Sequence, residues 1–335
     1  MVKTKMIIFF DLEGPLCPID HAADVLSLIG KKLGKEEDFY KLFQMISLYD
    51  DELFLVDKKE NYWPGDTLKL IAPLVVAFAK EEELLRIAEN APLTPGAKKL
   101  FAHLHEQEIP TFIISTSYQQ HAHTIAQKLT HPIKNVRCTK LDFSLKPETT
   151  KALEPLLEEI FPKYLKRGLP AVKKELDRFF FQEIPKSPFG SVFNSTVVCG
   201  GGRKRMEVIE ILKQHSLSPT KAFAVGDSIT DCQMLAYIRE QDGTAISFNG
   251  NNYSLKEASI AFSGESLYPI KYLMEVFPKT KSLAKDSTNR LQKVKEEGEF
   301  FIDLVEGASK EEYELILQRQ QKYRRLLRAK AAELT

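Results

Sequence analysis

Short apolar runs alternate with amphipathic stretches along most of this chain. The first apolar run covers residues 6–10, and similar runs follow at 111–114 and 222–225. Each is short and continuous, as in a buried parallel strand, and a stretch with helical periodicity follows each of them. Two further runs at 244–248 and 259–262 continue the series. Strands that alternate with helices predict an α/β fold, with a parallel sheet covered by helices on both faces.

Apolar residues that recur at steps of three and four predict the helices between these strands. The predicted helices cover 20–33, 36–48, 66–90, 97–107, 119–129 and 204–215. Strand-like alternation also appears at 136–143 and resumes at 196–199, just before a run of three glycines. The final helix is expected to begin at a capping box formed by Ser309 and Glu312.

These elements predict four parts of the chain. The helices at 16–91 follow the first strand directly and are expected to form a cap over the sheet. Residues 146–190 are rich in proline, lysine, glutamate and aromatic residues, and they predict a helical insert whose run Arg178-Phe179-Phe180-Phe181 forms its own small core. The segment 279–335 is expected to be a helical extension, which leaves 1–15 and 92–278 as the core that holds the sheet.

Polar side chains follow three of the predicted strands. They are Asp11 and Glu13 after the first, Ser115, Thr116 and Ser117 after the second, and Asp227 and Asp231 after a later one. Ligands bind at the carboxyl ends of the strands in open α/β sheets, so these clusters are expected to meet at one site. An aspartate that caps a helix would explain one of these carboxylates, but it would not explain why three lie at strand ends.

The spacing within these clusters favours a cation site. Asp11 and Glu13 stand two apart on an extended chain, so they point to the same side. Asp227 and Asp231 stand four apart, which is about one helical turn. Together with Asp11, they could provide the oxygen-rich set of three carboxylates that Mg²⁺ prefers.

In this order the motifs resemble those of the haloacid dehalogenase-like superfamily. Asp11-x-Glu13 resembles its first motif, Ser115 its second, Lys204 its third and Gly226-Asp227-Ser228-x-x-Asp231 its fourth. The chain is most similar to the phosphoserine phosphatase-like group, and especially to the phosphoserine phosphatase/homoserine phosphotransferase branch, whose first motif also reads Asp-Leu-Glu-Gly. The resemblance covers roughly 5–15, 92–145 and 196–265, and it implies a Rossmannoid three-layer core.

The resemblance implies a role for each motif residue. Asp11 would attack phosphorus and form an aspartyl-phosphate, while Glu13 would act as general acid and then as general base. Ser115 and Thr116 would bind the phosphoryl oxygens, and Lys204 would neutralise their charge. Mg²⁺ would be held by Asp11, by the main-chain carbonyl of Glu13 and by Asp227, with Asp231 as a further or indirect ligand.

Two positions depart from the usual pattern of the family or leave it ambiguous. The second acid of the first motif is usually aspartate, and Glu13 is one methylene longer, which changes its reach to the leaving group. Lys204 fits the third motif best by its spacing from the apolar residues that follow, but Arg203 and Arg205 flank it and remain alternatives.

The implied activity is hydrolysis of a small phosphorylated metabolite by a phosphoric monoester hydrolase. A phosphotransferase that passes phosphate to an alcohol is the nearest alternative, because the same intermediate serves either acceptor. A catalytically silent regulatory or binding subunit is the alternative from another class, because fold alone does not fix function.

Composition limits partners and location. The net charge of +1 predicts no nucleic-acid partner, and the apolar run at 6–10 is too short for a signal peptide or a membrane span. The four cysteines form no CxxC pair, so the sequence predicts neither a zinc site nor a disulfide framework, but a reduced, cytoplasmic protein.

Two further features are candidates for a site or an interface. His121 and His123 share no helical face, so they are expected at a solvated helix start. The C-terminal helices could form a homodimer contact, and the sequence leaves this open.

Overall fold

The computed structural model describes residues 6–275, 292–294 and 298–329, and within these ranges eight strands form one sheet. The strands are β1 Ile7–Phe10, β2 Thr111–Tyr118, β3 Val136–Thr139, β4 Ala222–Gly226, β5 Thr244–Phe248, β6 Ile260–Gly264, β7 Gln292–Val294 and β8 Gly298–Leu304. Their order across the sheet is β3-β2-β1-β4-β5-β6-β8-β7. The first six strands pair in parallel, whereas β8 pairs antiparallel with both β6 and β7.

Helices cover both faces of the sheet and build the cap. Within the described ranges they are α1 His21–Lys32, α2 Glu36–Asp51, α3 Thr67–Phe78, α4 Glu81–Asn90, α5 Ala97–Glu106, α6 Gln119–Lys128, α7 Phe161–Arg167, α8 Lys173–Arg178, α9 Gly190–Ser195, α10 Gly202–Gln214, α11 Cys232–Glu240, α12 Asn252–Glu257, α13 Ile270–Glu275 and α14 Lys310–Arg328. None of the helices in these ranges combines the length and the apolar character that a bilayer span requires. The predicted α/β fold with its parallel sheet is confirmed.

Strand β1 occupies the centre of the sheet and places its carboxyl end between two neighbours. All four of its residues are buried, which agrees with the continuous apolar pattern of a strand covered on both faces. Phe10 is in register with Ile113 of β2 and with Val225 of β4. The carboxyl ends of β1, β2 and β4 therefore lie side by side at one edge of the sheet.

The two predicted inserts share one hydrophobic cluster. Tyr49 of α2 stacks on Phe180 with 6.0 Å between ring centroids, and its hydroxyl donates a hydrogen bond of 2.6 Å to Asp177 of α8. Phe179 and Phe180 are buried in this cluster, together with apolar residues of α1, α2 and α3. The expectation that the aromatic run forms a separate core within its own insert is therefore wrong, because these rings pack against the cap.

In the described part of the C-terminal extension, strand β8 precedes helix α14, so the prediction of a helical segment at 279–335 is wrong at this strand. Strand β8 pairs with β6 along the full length of β6, from Ile260 opposite Leu304 to Gly264 opposite Phe300. Its apolar residues Phe300, Phe301 and Ile302 are consecutive and flanked by acidic ones, so the segment lacks the alternation of a strand with one exposed face. Pairing with the otherwise open edge of β6 supplies the backbone hydrogen bonds that favour a strand here.

Three smaller differences concern element boundaries. The segment 196–199 is a loop, although its alternation resembles that of a strand. The strand predicted at 136–143 ends at Thr139, and the helix predicted at 66–90 is divided in two at Ala79, whose backbone is extended. The predicted capping box at the start of α14 is confirmed, because the Ser309 hydroxyl accepts from the main-chain N–H of Glu312 and the Glu312 carboxylate accepts from that of Ser309.

Helix α14 lies with one face against the sheet. Its buried residues are Ile316, Gln320, Tyr323, Arg324 and Arg328, which follow the helical period along a single stripe. Two of these five are arginines, and their charge lies on the side of the helix that faces the interior. The segment is therefore packed against the core of its own chain.

Candidate active site

Asp11 lies at the junction of β1 with the loop that follows. Its main-chain N–H donates to the carbonyl of Val225 at 2.8 Å, which continues the β1–β4 pairing to the end of the strand. The side chain is buried, with 4% of its residue exposed. Gly14, three residues later, has a φ of +102°, and a Cβ there would collide with the carboxylate of Asp227. The glycine in this motif therefore allows the first and fourth motifs to approach each other.

Lys204 connects two of the predicted carboxylates. Its Nζ lies 2.6 Å from Oδ1 of Asp11 and 2.7 Å from Oδ1 of Asp231, and its side chain is fully buried. Burial disfavours the charge on this lysine, but the two carboxylates outweigh that effect and hold its pKa above the usual value. The predicted residue of the third motif thus contacts the first and the fourth.

The two arginines beside Lys204 point elsewhere. Arg203 forms an ion pair of 2.6 Å with Asp66 in the loop before α3. The guanidinium of Arg205 lies 5.5 Å from the ring centroid of Tyr237 on α11. Of these three adjacent cations, the structure places Lys204 at Asp11.

Glu13 faces the same site and is half-buried. Its Oε1 accepts hydrogen bonds from the Ser117 hydroxyl at 2.6 Å and from the main-chain N–H of His21 at 3.4 Å. Burial, together with the charge of Asp20, raises the pKa of Glu13 to about 8, and the hydrogen bond from Ser117 opposes that rise. A carboxyl group with this pKa carries a proton at neutral pH and can donate it.

Asp11 is also affected by its surroundings. Burial and the nearby charge of Asp231 raise the pKa of Asp11 to about 7, and the ammonium of Lys204 opposes this shift. The site therefore contains two carboxyl groups whose pKa values are both raised by burial, and Asp11 differs from Glu13 in its direct contact with the Lys204 ammonium.

Asp231 shapes the loop of the fourth motif. Its Oδ2 accepts from the main-chain N–H groups of Asp227 at 3.0 Å and of Ser228 at 3.1 Å, and its Oδ1 accepts from Lys204. Both oxygens thus have donors within the chain. This geometry fits the predicted indirect role at the cation better than a direct one.

Asp227 differs from Asp231 because its Oδ1 is buried and accepts no hydrogen bond from any residue that the structure describes. Ligand oxygens of Asp11, Asp227 and Asp231 all lie within 4.8 Å of one another. A buried acceptor without a donor is costly, and a bound cation would satisfy it. The cluster can therefore hold a metal ion, and its oxygen ligands suit a hard divalent cation.

Ser115 and Thr116 lie where β2 becomes irregular, since its register with β3 shifts between Ile114 and Tyr118. The Ser115 hydroxyl accepts from the main-chain N–H of Ser117 at 3.1 Å. The Thr116 hydroxyl is buried, and no hydrogen bond joins it to another described residue. It is a polar group positioned for a ligand.

A small cavity of about 100 Å³ lies among these groups. Its lining joins motif residues with cap residues and one residue of α14: Asp11, Glu13, Asp20, His21, Ala22, Phe43, Ser47, Gly65, Thr67, Leu68, Ser115, Thr116, Ser117, Tyr118, Ser228, Thr230 and Arg328. The cavity thus lies between the cap and the carboxyl ends of the central strands, where ligands bind in such sheets.

Glycines bring the cap against the core beside this cavity. Gly201 has a φ of +51°, and a Cβ on Gly202 would lie 2.6 Å from Cζ2 of Trp63. A Cβ on Gly200 would meet the carbonyl oxygen of Pro64 at 2.5 Å. The glycine run before Lys204 therefore allows a cap loop to pack on the start of α10.

Two histidines near Glu13 were not predicted at the site. His21 and His121 stack with 4.3 Å between ring centroids, and both are buried. Burial lowers the pKa of His21 to about 4, so it is neutral at physiological pH. The expectation of a solvated position is wrong for His121, because α4 and α1 cover this face of α6. The spacing of residues along α6 does not reveal that other helices cover this face.

The least expected residues at the site are Arg324 and Arg328 of α14. Both form ion pairs with Oδ2 of Asp227, and the Arg328 pair measures 2.8 Å. Their side chains are 4% and 3% exposed. The sequence offered only interleaved charges on a helix, a pattern typical of a solvated face. The one sequence signal that could have revealed them is their spacing, which places both arginines on the apolar stripe of α14.

Comparisons with known proteins agree with this architecture. Residues 5–162 match the family model of haloacid dehalogenase-like hydrolases. A gene product of Archaeoglobus fulgidus has a similar structure, with a TM-score of 0.80 and 26% identity over 98% of this chain and 99% of its own. A substrate-bound phosphoserine phosphatase also has a similar fold, with a TM-score of 0.51 and 15% identity over 81% of this chain and 99% of its own. No curated protein matches the sequence.

The fold and the motifs at the strand ends define a haloacid dehalogenase-like architecture, a Rossmannoid sheet with its site under a cap. Over residues 5–162, the chain is similar to the haloacid dehalogenase-like hydrolases. The resemblance predicted from the motifs is confirmed, and the predicted enzyme class, a hydrolase, agrees with the description of the family.

Proposed function

We propose that this chain is a Mg²⁺-dependent phosphatase that hydrolyses a small phosphomonoester through an aspartyl-phosphate on Asp11. One observation carries the proposal. Asp11 lines a small cavity beneath the cap, with a lysine ammonium 2.6 Å from its carboxylate and the raised-pKa carboxyl group of Glu13 in the same lining. A nucleophile, a fixed cation and a general acid are the parts that phosphoryl transfer requires.

The carboxylates of Asp11 and Asp227 would hold the cation, with the main-chain carbonyl of Glu13 as the third protein ligand. Asp231 would act indirectly, through Lys204 and the loop of the fourth motif. Bound Mg²⁺ would offset the negative charge that otherwise keeps a carboxylate away from a phosphoryl group.

In the first half-reaction, an oxygen of Asp11 forms a bond to phosphorus while the bond from phosphorus to the ester oxygen breaks. Glu13 gives its proton to the departing oxygen, so the product leaves as an alcohol. In the second half-reaction, the ionised Glu13 takes a proton from water, whose oxygen attacks phosphorus. The bond from phosphorus to Asp11 then breaks, and phosphate leaves.

Three side chains would stabilise the charge that develops on the phosphoryl oxygens. Lys204 is fixed by Asp11 and Asp231, so it needs little rearrangement during the reaction. The hydroxyls of Ser115 and Thr116 face the cavity, and that of Thr116 is available to a ligand. The Ser117 hydroxyl would instead orient Glu13, to which it already donates.

The size of the cavity supports a small substrate. About 100 Å³ is well below the volume typical of pockets for drug-sized ligands, and the cap closes it on the side opposite the sheet. Closure of the cap would exclude water from the site. Cap residues such as Phe43 and Ser47, which line the cavity, would then select the substrate. The similar fold of a phosphoserine phosphatase agrees with this reaction class.

Phosphate release from a panel of small phosphomonoesters tests the proposal, with and without Mg²⁺. We expect Mg²⁺-dependent release that Asp11→Asn abolishes. Added alcohols distinguish the phosphotransferase, because transfer to an alcohol lowers free phosphate while the phosphomonoester is consumed at an equal or greater rate. Absence of turnover across the panel would contradict the proposal and favour a silent binding subunit.

The predicted homodimer contact through the C-terminal helices stays a prediction. Because α14 uses one face within its own chain, such a contact would have to use the outer face. Leu315 and Leu326 each have 59% of their surface exposed there. Light scattering of the wild type and of a Leu315→Lys variant tests this contact, and a monomer in both would exclude it.

A further inference from the structure

The C-terminal helix α14 supplies two arginines to the carboxylate of Asp227, which belongs to the candidate cation site. Arg324 and Arg328 stand four apart, so they lie on the same face of the helix. Both Nη1 atoms contact Oδ2 of Asp227, and Arg324 also donates to the main-chain carbonyl of Asp227 at 3.2 Å. Arg328 further donates from Nε to the carbonyl of Pro18 at 3.3 Å. Two cations of the chain itself are thus fixed at this carboxylate.

Contacts other than these arginines hold α14 in place. Gln320 accepts from the main-chain N–H of Gly250 at 2.5 Å and donates to the Ser263 hydroxyl at 2.7 Å. The Tyr323 hydroxyl donates to Glu299 at 2.6 Å. These hydrogen bonds anchor the helix to the loop after β5 and to strands β6 and β8. The position of the arginines is therefore set by the docking of the helix and not only by their pairing with Asp227.

The two oxygens of Asp227 have different surroundings as a result. Oδ2 faces two guanidinium groups, whereas Oδ1 is buried and accepts no hydrogen bond from the described part of the chain. A carboxylate held in this way has one oxygen left for a further cation. The arginines thus occupy Oδ2 of Asp227 and leave Oδ1 as the oxygen that a cation could use.

The same contacts affect the charge balance of the site. A buried carboxylate without a counter-charge is strongly destabilising, and the arginines provide that charge when no metal ion is bound. A divalent cation that binds beside Asp227 must then approach two fixed positive charges. Repulsion between like charges in a buried site is large, so we expect the arginines to weaken cation binding.

We propose that Arg324 and Arg328 are positioning residues of this active site, acting as built-in counter-charges that orient Asp227 and keep its affinity for divalent cations low. The inference rests on the proposed function for the identity of the site. It does not depend on which ester is hydrolysed. Through these residues, the C-terminal helix controls the binding of a cation at the carboxyl end of β4.

The test is the dissociation constant of Mg²⁺ and of Mn²⁺, measured by titration calorimetry on the full chain without substrate. The double variant Arg324→Met/Arg328→Met is compared with the wild type. We expect roughly tenfold or tighter binding in the variant, because two like charges have been removed while the carboxylate remains. Arg328→Lys keeps the charge and should retain the weak affinity of the wild type.

Two matched controls lie on the same helix. Arg319 pairs with Asp303 at 2.5 Å away from the site, and Arg325 is exposed. Arg319→Met and Arg325→Met should bind both cations as the wild type does. Adding Asp227→Asn to the double variant should remove the gain in affinity, which locates the effect at this carboxylate.

Thermal unfolding provides a second measurement. Without metal, the double variant should melt below the wild type, since Asp227 has lost its counter-charges. Added Mg²⁺ should raise its melting temperature by more than it raises that of the wild type. Where the double variant does not fold, the single variants Arg324→Met and Arg328→Met are measured in the same way, each with a smaller expected gain.

Unchanged or weaker cation binding in the folded arginine variants would overturn the inference. An equal gain in Arg319→Met would also overturn it, because the effect would then come from loosened helix docking. These outcomes are independent of turnover. A chain without phosphatase activity that still showed the predicted change in affinity would contradict the proposed function and leave this inference intact.

Discussion

Nζ of Lys204 lies 2.6 Å from Oδ1 of Asp11, although 193 positions separate the two residues in sequence. The contact joins the end of the central strand β1 to the start of α10. Asp231 accepts from the same ammonium at 2.7 Å, so one lysine connects two motif carboxylates. All three side chains are buried, and this makes the contact sensitive to the loss of any one partner.

Lys204→Met should therefore reduce both activity and stability. Loss of a fixed cation at the reacting group is expected to lower kcat by about 10²- to 10³-fold. Two buried carboxylates would also lose their partner, which should cost about 3–5 kcal/mol of unfolding free energy. Steady-state kinetics and urea unfolding measure the two effects. Arg205→Met is the matched control, and a comparable loss of activity there would contradict the assignment of Lys204.

Ser117→Ala should alter the pH dependence of the reaction. Glu13 must be protonated to act as an acid, so the rate should fall as the pH rises through its pKa of about 8. The hydrogen bond from Ser117 lowers this pKa, and its removal should therefore move the alkaline fall to higher pH. We also expect a rate loss of about tenfold from poorer orientation of the acid. A profile identical to that of the wild type would show that Ser117 does not act through Glu13.

Asp50 should make the stability of the cap depend on pH. Its carboxylate accepts from the Tyr62 hydroxyl at 2.5 Å, and burial raises its pKa to about 7 from an ordinary value of 3.8. Because the folded chain holds the proton more strongly, this contribution is fully present below the unfolded pKa and is lost as the pH rises towards 7.

Urea unfolding at several pH values between these two limits measures this effect. Asp50→Asn removes the titration, so the stability of the wild type relative to this variant should fall as the pH rises. A constant difference between the two proteins across this range would show that Asp50 does not titrate as the structure indicates.

Gly202→Ala should disrupt the contact between Trp63 of the cap and the start of α10 in the core. A Cβ at this position would lie 2.6 Å from Cζ2 of Trp63, so the indole ring would have to shift. Overpacking of this kind costs about 1–3 kcal/mol and should raise KM through a less closed cap. Trp63 is the one tryptophan of the chain, so its emission reports the contact directly. An unchanged spectrum and KM would exclude this role of the glycine.

Local sequence was sufficient to predict the centre of the site. Asp11, Glu13 and Asp227 follow buried strands directly, and a parallel sheet brings the ends of its strands together. Lys204 could be identified through its spacing on the helix after the glycine run. In each case the functional side chain lies within a few residues of an element that periodicity identifies.

Contacts that form only in the folded chain could not be predicted in this way. Arg324 pairs with Asp227 across 97 positions, and its neighbourhood in sequence resembles a solvated helix. Likewise, the apolar residues of β8 are mostly consecutive and show no alternation, and it becomes a strand because β6 offers an unpaired edge. The shared core of the two inserts depends on Tyr49 meeting Phe180, which neither segment indicates alone.

Detection of the phosphoryl group on Asp11 tests the central claim most directly. Wild type and Glu13→Gln are mixed with Mg²⁺ and p-nitrophenyl phosphate, whose leaving group needs no acid, then quenched in acid and mapped by mass spectrometry. Because the variant lacks the base for the second half-reaction, we expect it to accumulate one phosphoryl group on the peptide that contains Asp11. Asp11→Asn should carry none. Turnover without any modification at Asp11, or a phosphoryl group on another residue, would contradict the account.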